Sequence, residues 1–225
     1  MINIKTFSCN PFQEKCYIAW DRTGCGVIID PGCYDEAEVS ELEQFIASKG
    51  IRPSAILLTH GHFDHIFGVG RLSERYGIPV YMKKEDGVIL LNNGKLASTF
   101  GLKSPDVNFK TTDVAGGQQL DFGEMSFSVI ETPGHTPGGV CYYSKADKVV
   151  FTGDSLFAGS IGRTDSPWGD YDKLIVSIMD NIMGIDGDTD ILPGHGPSTT
   201  IGYERTNNPF LQPFNESDDF EYTDY

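Results

Sequence analysis

The chain has 225 residues, 39% of them hydrophobic, and a formal net charge of −15. That length and apolar share fit one globular domain, and no apolar run of about 18 residues is present to span a membrane as a helix. The acidity argues against a nucleic-acid partner, because affinity for a phosphate backbone comes mainly from Lys and Arg.

In chain order, strands are predicted at residues 2–7 and 15–20, around a turn at Asn10-Pro11. The start lacks the charged region, apolar stretch and cleavage site of a signal peptide, so a cytoplasmic location is the expectation. A third strand, 25–29, ends at Asp30. A helix over 35–49 opens with Asp35 and Glu38 at capping-box spacing. It buries Val39, Leu42 and Ile46 and stops at Gly50. Residues 54–58 read as a buried strand, 66–76 as a helix and 80–82 as a strand. Residues 85–100 read as a helix with Val88, Leu91 and Leu96 inward, interrupted at Asn92-Asn93-Gly94, and 100–108 as a loop. Strands follow at 118–120, 125–130, 140–144 and 148–151, with turns at Asp121-Phe122-Gly123 and Lys145-Ala146-Asp147. Asp170 caps a helix whose apolar stripe is Tyr171, Leu174, Ile175, Ile178, Met179 and Ile182. A last strand starts at Asp190, and 199–205 form a short helix. The expected organisation is a single domain over 1–213 and an acidic tail over 214–225. The tail is read as solvated, with a docking strip through Phe220, Tyr222 and Tyr225 as the other reading.

The chemistry concentrates at Thr59-His60-Gly61-His62-Phe63-Asp64-His65, on the turn between a predicted strand and helix. Imidazole and carboxylate suit zinc, iron or manganese. Alternation lets His60 and His62 point one way together, while Asp64 and His65 reach a second point, so one turn can serve two ions. The chain has five histidines. The remaining two, His135 and His195, each end a Pro-Gly-His triplet that closes an apolar strand. Asp154 ends the buried run Val149-Val150-Phe151-Thr152-Gly153, where a carboxylate is costly unless paired or bound to metal. Asp30 ends its strand similarly, either orienting a ligand histidine or capping a turn. The five cysteines form no CxxC pair, and reduced, buried thiols are expected.

This set resembles the metallo-β-lactamase superfamily, and within it the short glyoxalase II-like hydrolases. The resemblance rests on THGHFDH (59–65), ETPGHTPGG (131–139), FTGDSLFAGSIGRTD (151–165), LPGHG (192–196), VIIDPG (27–32) and Asn10-Pro11-Phe12-Gln13-Glu14. It implies an α/β fold, a four-layer αβ/βα sandwich with the ligands along one edge. It implies two divalent metal ions, with zinc expected and iron or manganese as alternatives. One would be held by His60, His62 and His135, the other by Asp64, His65 and His195. Asp154 would bridge them, and no ligand position of the pattern is missing.

The reaction implied is hydrolysis by a hydroxide shared between the ions, with Asp154 and Asp64 as the catalytic carboxylates. Every histidine is then a ligand, and none remains as a general acid. That favours a leaving group that departs as an anion, such as a thiolate with a pKa of about 8.5. A thioester such as hydroxyacyl-glutathione is the expected small-molecule substrate. A lactone or ester hydrolase, or a one-iron persulfide dioxygenase using His60, His135 and Asp154, is the alternative. Full-length glyoxalase II enzymes grip glutathione with a basic C-terminal helical region, whereas here 30 residues follow His195. A weaker grip on glutathione is therefore expected. Arg163 is the substrate-binding candidate near the metals, its other reading being a structural pair with Asp165. The sequence does not specify an oligomeric state.

Overall fold

Strand alternation sets the layers, because successive side chains point to opposite faces of a sheet. The computed structural model describes residues 1–212, so the acidic tail expected at 214–225 lies outside the described residues. The first sheet joins β1 (Asn3–Cys9), β2 (Glu14–Trp20), β3 (Cys25–Ile29), β4 (Arg52–Leu57), β5 (Val80–Tyr81) and β6 (Thr111–Thr112) in that order. Its first three strands are antiparallel, and β3 to β6 run parallel. The second half of the chain supplies β7 (Gln119–Phe122), β8 (Met125–Glu131), β9 (Val140–Ser144), β10 (Val149–Gly153), the small hairpin β11 (Leu156–Phe157) and β12 (Ser160–Ile161), β13 (Asp190–Pro193) and β14 (Thr199–Thr200). The second sheet runs β14-β13-β10-β9-β8-β7, with β10 and β13 parallel.

Val27, Ile29, Ala55 and Leu57 of the first sheet meet Phe127, Val129, Tyr142 and Phe151 of the second in a central core. The alternate residues Ile28 and Ile56 face outward, under Val39, Leu42 and Ile46 of α1 (Glu36–Lys49) and Val69 and Leu72 of α2 (Val69–Tyr76). On the other side Cys141, Val150 and Ile191 lie under Leu174 and Ile178 of α4 (Tyr171–Asn181) and Ile201 of α5 (Ile201–Asn207). The result is the helix–sheet–sheet–helix sandwich of the metallo-β-lactamase fold. No helix among the described residues is long and apolar enough to cross a membrane.

Several local expectations change. Asp35 caps α1 by accepting from the N–H groups of Ala37 and Glu38. The capping box does not close, because the Glu38 carboxylate instead accepts from the backbone N–H of Asn10 and of Tyr34. Residues 63–65 form a 3₁₀ turn, and α2 begins only at Val69. The helix α3 (Gly87–Thr99) is unbroken through Asn92-Asn93-Gly94 and buries Ile89, Asn93 and Ala97. Val88 and Leu91 are exposed. Asn93 faces inward because its side-chain amide donates to the carbonyl of Gly61 in the histidine turn. Asp121 and Phe122 belong to β7, and the hairpin turns at Gly123-Glu124. Tyr171 and Met179 of α4 are about half exposed, while Ser177 is buried.

Candidate metal centre

The first-sheet strand β4 ends at the turn holding His60, His62, Asp64 and His65, and the second-sheet strands β8, β10 and β13 end at the segments holding His135, Asp154 and His195. Both sheets therefore end their strands at one rim. Donor atoms of His60, His62 and His135 lie within 4.8 Å of one another, as do those of Asp64, His65 and His195. Asp154 spans the two groups. Its Oδ2 is 3.5 Å from His135 Nε2, while its Oδ1 is 3.3 Å from His65 Nε2 and 3.7 Å from His195 Nε2.

Hydrogen bonds on the far side of four of the five rings set the inward nitrogen. His65 Nδ1 donates to Asp30 Oδ2 at 3.1 Å, His135 Nδ1 to the Arg163 carbonyl at 2.7 Å, and His195 Nδ1 to the Phe12 carbonyl at 3.2 Å. His60 Nδ1 donates to Thr59 Oγ1, whose hydroxyl donates to Asp30 Oδ2. These four rings keep Nε2 for the centre. His62 turns the other way, with Nδ1 2.9 Å from His135 Nε2. Donation from the outer nitrogen fixes the tautomer and raises the basicity of the inner one. Asp30, His60 and His65 also cluster. The oxygens of Asp30 are already taken by Thr59 N–H, Thr59 hydroxyl and His65, so Asp30 supports rings rather than forming a third centre.

A bound ion is tested by what the protein leaves unpaired. His60 Nε2, His65 Nε2 and Asp154 Oδ1 are buried without a hydrogen-bond partner among the described residues. Such atoms are costly unless something satisfies them, and these three point into the two clusters. Nitrogen and carboxylate donors in this number fit divalent zinc, iron or manganese. Burial, followed by the neighbouring charge of His65, drives His60 well below the usual imidazole range. Burial and His135 push His62 down to about 3. Both are thus held as the neutral form that binds metal. Burial also opposes a charge on His65, but Asp154 and Asp64 outweigh it and raise that imidazole. A cation at His65 Nε2 would replace that proton against the same two carboxylates.

Arg163 borders the centre through its carbonyl, and its guanidinium pairs with Asp165, Nε to Oδ1 at 2.8 Å. Three further residues support the site: Asn10 and Glu14 lie in the Asn10–Glu14 stretch that carries the resemblance, where the sequence gives them no role, and Asp86 carries no signal there. Asn10 donates to the carbonyls of Gly32 and Asp64. Glu14 is fully buried with an oxygen 3.7 Å from His65 Nδ1, and burial pushes its carboxyl well above the usual range. Asp86 is fully buried and accepts from Gly61 N–H, Thr136 hydroxyl and Gly138 N–H, tying the first histidine turn to the His135 turn. It sits in the run Lys83-Lys84-Glu85-Asp86, which has the composition of a solvated surface. Asp86→Ala strands two buried N–H donors and is expected to cost about 3 kcal/mol. Urea denaturation checks this, and an unchanged midpoint would refute the brace.

A model of the metallo-beta-lactamase superfamily matches residues 9–202. The chain is 37% identical to a protein of Haemophilus influenzae named hydroxyacylglutathione hydrolase GloC, covering 93% of this chain and 98% of that one. The solved structure of TTHA1623 in a di-iron-bound form is similar at 38% identity and TM-score 0.83, covering 92% of this chain and all (100%) of that one. The BLEG-1 B3 metallo-beta-lactamase structure is similar at 37% identity and TM-score 0.85, covering 94% and 100%.

Proposed function

The chain belongs to the metallo-beta-lactamase superfamily of metal-dependent hydrolases, and from that premise we propose that it cleaves thioesters of the hydroxyacyl-glutathione type. His60, His62 and His135 would hold one divalent ion, and Asp64, His65 and His195 the other, with Asp154 shared. When bound, the ions would supply Lewis acidity, polarising a carbonyl and acidifying a water. Water oxygen bonds to the acyl carbon as the water's protons pass to solvent, the carbon–sulfur bond breaks, and the electron pair leaves with the sulfur, giving a carboxylate and a thiolate.

The observation that carries this reading is the placement of all five histidines in one cluster. Four outer nitrogens are tied to Thr59, Asp30, Arg163 and Phe12, and His62, held neutral by burial, carries no imidazolium proton to give to a leaving group. A thiolate needs no such proton at neutral pH, whereas an amide nitrogen does. Asp64 and Asp154 are acceptors at the centre: the partners of Asp154, His65 foremost, outweigh burial and hold its carboxyl well below the usual range. The relative named hydroxyacylglutathione hydrolase supports the same substrate class.

The experiment loads purified protein with zinc, iron or manganese in turn. It then assays a thioester panel beside a lactone, a β-lactam and a persulfide. Two equivalents of metal per chain and thioester turnover are the expected result. A plateau at one iron with persulfide oxidation, or β-lactam turnover without thioester turnover, would overturn the reading.

A further inference from the structure

A cavity of about 570 Å³ opens over the clustered histidines, and its two ends differ in chemistry. Beside Asp64 and His195 the wall is aromatic. Phe12 meets Phe63 edge to face at 5.6 Å between ring centroids and Phe100 at 5.2 Å. Phe157 faces the His195 ring at 6.2 Å, and Leu96 extends the apolar lining. The other end, beside His135, is mixed, with Arg163, Asp165 and Ser166 set among Ile161 and Pro167.

Apart from the histidines and aspartates of the centre, Arg163 and Asp165 are the charged side chains lining this cavity, and they neutralise each other in a two-contact pair, at 2.8 and 3.2 Å. A charged substituent entering the groove would lose water without finding an unpaired counter-charge there. An apolar one gains from burial, at about 25 cal/mol per Å². Phe100 is 51% exposed, so a ligand could cover aromatic surface that the fold itself leaves in water.

The direction of the substrate follows from where charge appears. The faces of aromatic rings are electron-rich, so a sulfur becoming thiolate is poorly placed against Phe12, Phe63 and Phe100. The end beside His135 suits it better: Arg163 and Asp165 cancel there, and the Ser166 hydroxyl has no hydrogen-bond partner among the described residues. We infer that the groove seats an uncharged, apolar acyl group against the Phe12–Phe63–Phe100 wall, with the thiol leaving toward Arg163 and Ser166. This inference rests on the thioester-hydrolase reading but departs from its hydroxyacyl example, since the wall that would meet the acyl group is aromatic.

The test uses zinc-loaded protein and thioesters of one small neutral thiol, N-acetylcysteamine, with acetyl, butyryl, hexanoyl and phenylacetyl groups. kcat/KM is expected to rise about threefold to fourfold per added methylene. Phe100→Ala should reduce the hexanoyl-to-acetyl ratio about tenfold. A second series keeps the acetyl group and lengthens the thiol, and should stay flat. A third measurement titrates ketone analogues, in which a methylene replaces the sulfur, by calorimetry. Their Kd should tighten with acyl length. Acyl series that are flat in both rate and binding would overturn the inference, as would selectivity that follows the thiol chain. Length-dependent binding of the ketones without thioester cleavage would support the groove and sink the hydrolase reading instead.

Discussion

Asp154→Asn is expected to lower kcat on a thioester by about a hundredfold to a thousandfold while moving the denaturation midpoint little. The carboxylate reaches both histidine clusters, one oxygen toward His135 and the other toward His65 and His195. An amide keeps the shape and removes the negative charge that would lie between two cations. It also offers one oxygen where two are needed. The change therefore falls on charge compensation at the centre, not on packing. Metal content should drop with kcat, measured on the same preparation by elemental analysis. A variant with full metal content and ordinary turnover would show that Asp154 does not bridge.

The residues behind that prediction were legible because their chemistry is rare and local. Four side chains that can bind metal in a six-residue turn, two Pro-Gly-His triplets and a carboxylate at the end of a buried strand point together to an ion site. The layers were legible for the same kind of reason. Val27, Ile28 and Ile29 alternate between two cores, as a period of two requires. The support around the site was harder to read, because it depends on what folds against a residue. Asp86 is a buried acid in a stretch that looks like surface, and Glu14 is a buried acid at the start of a strand, with nothing local to mark its burial. Their role comes from the turns and rings that reach them from distant parts of the chain. In α3 the consecutive apolar residues Val88, Ile89, Leu90 and Leu91 favour no single face. The carbonyl of Gly61, which accepts from Asn93, decides which side packs. Glu38 is diverted from its own helix cap by the N–H groups of Asn10 and Tyr34, which propensity along one helix cannot anticipate.

Gly194→Ala is expected to abolish tight binding of the ion that Asp64, His65 and His195 would hold and to cut kcat/KM at least about a hundredfold. A Cβ at this position would lie 2.4 Å from Asp154 Oδ1 and 2.6 Å from His65 Cε1, closer than real Cβ contacts come. The backbone has little room to retreat. Gly194 N–H donates to the Gly153 carbonyl and the Gly194 carbonyl accepts from Lys15 N–H, both at 2.8 Å, while Tyr17 holds the carbonyl of Pro193 at 2.6 Å. The methyl must therefore displace Asp154 or His65. Overpacking of this kind costs about 1–3 kcal/mol, so the protein should still fold. Gly196 supplies the control. It lies two positions on, at φ 79°, with nothing within 4 Å of its Cβ. Gly196→Ala carries backbone strain of about 1 kcal/mol without crowding the centre. Metal stoichiometry and kcat/KM measured on both variants separate the two effects. Loss in Gly194→Ala with retention in Gly196→Ala assigns the second triplet's glycine to close packing against the centre. Equal behaviour of the two would show that its role is only to turn the chain toward His195.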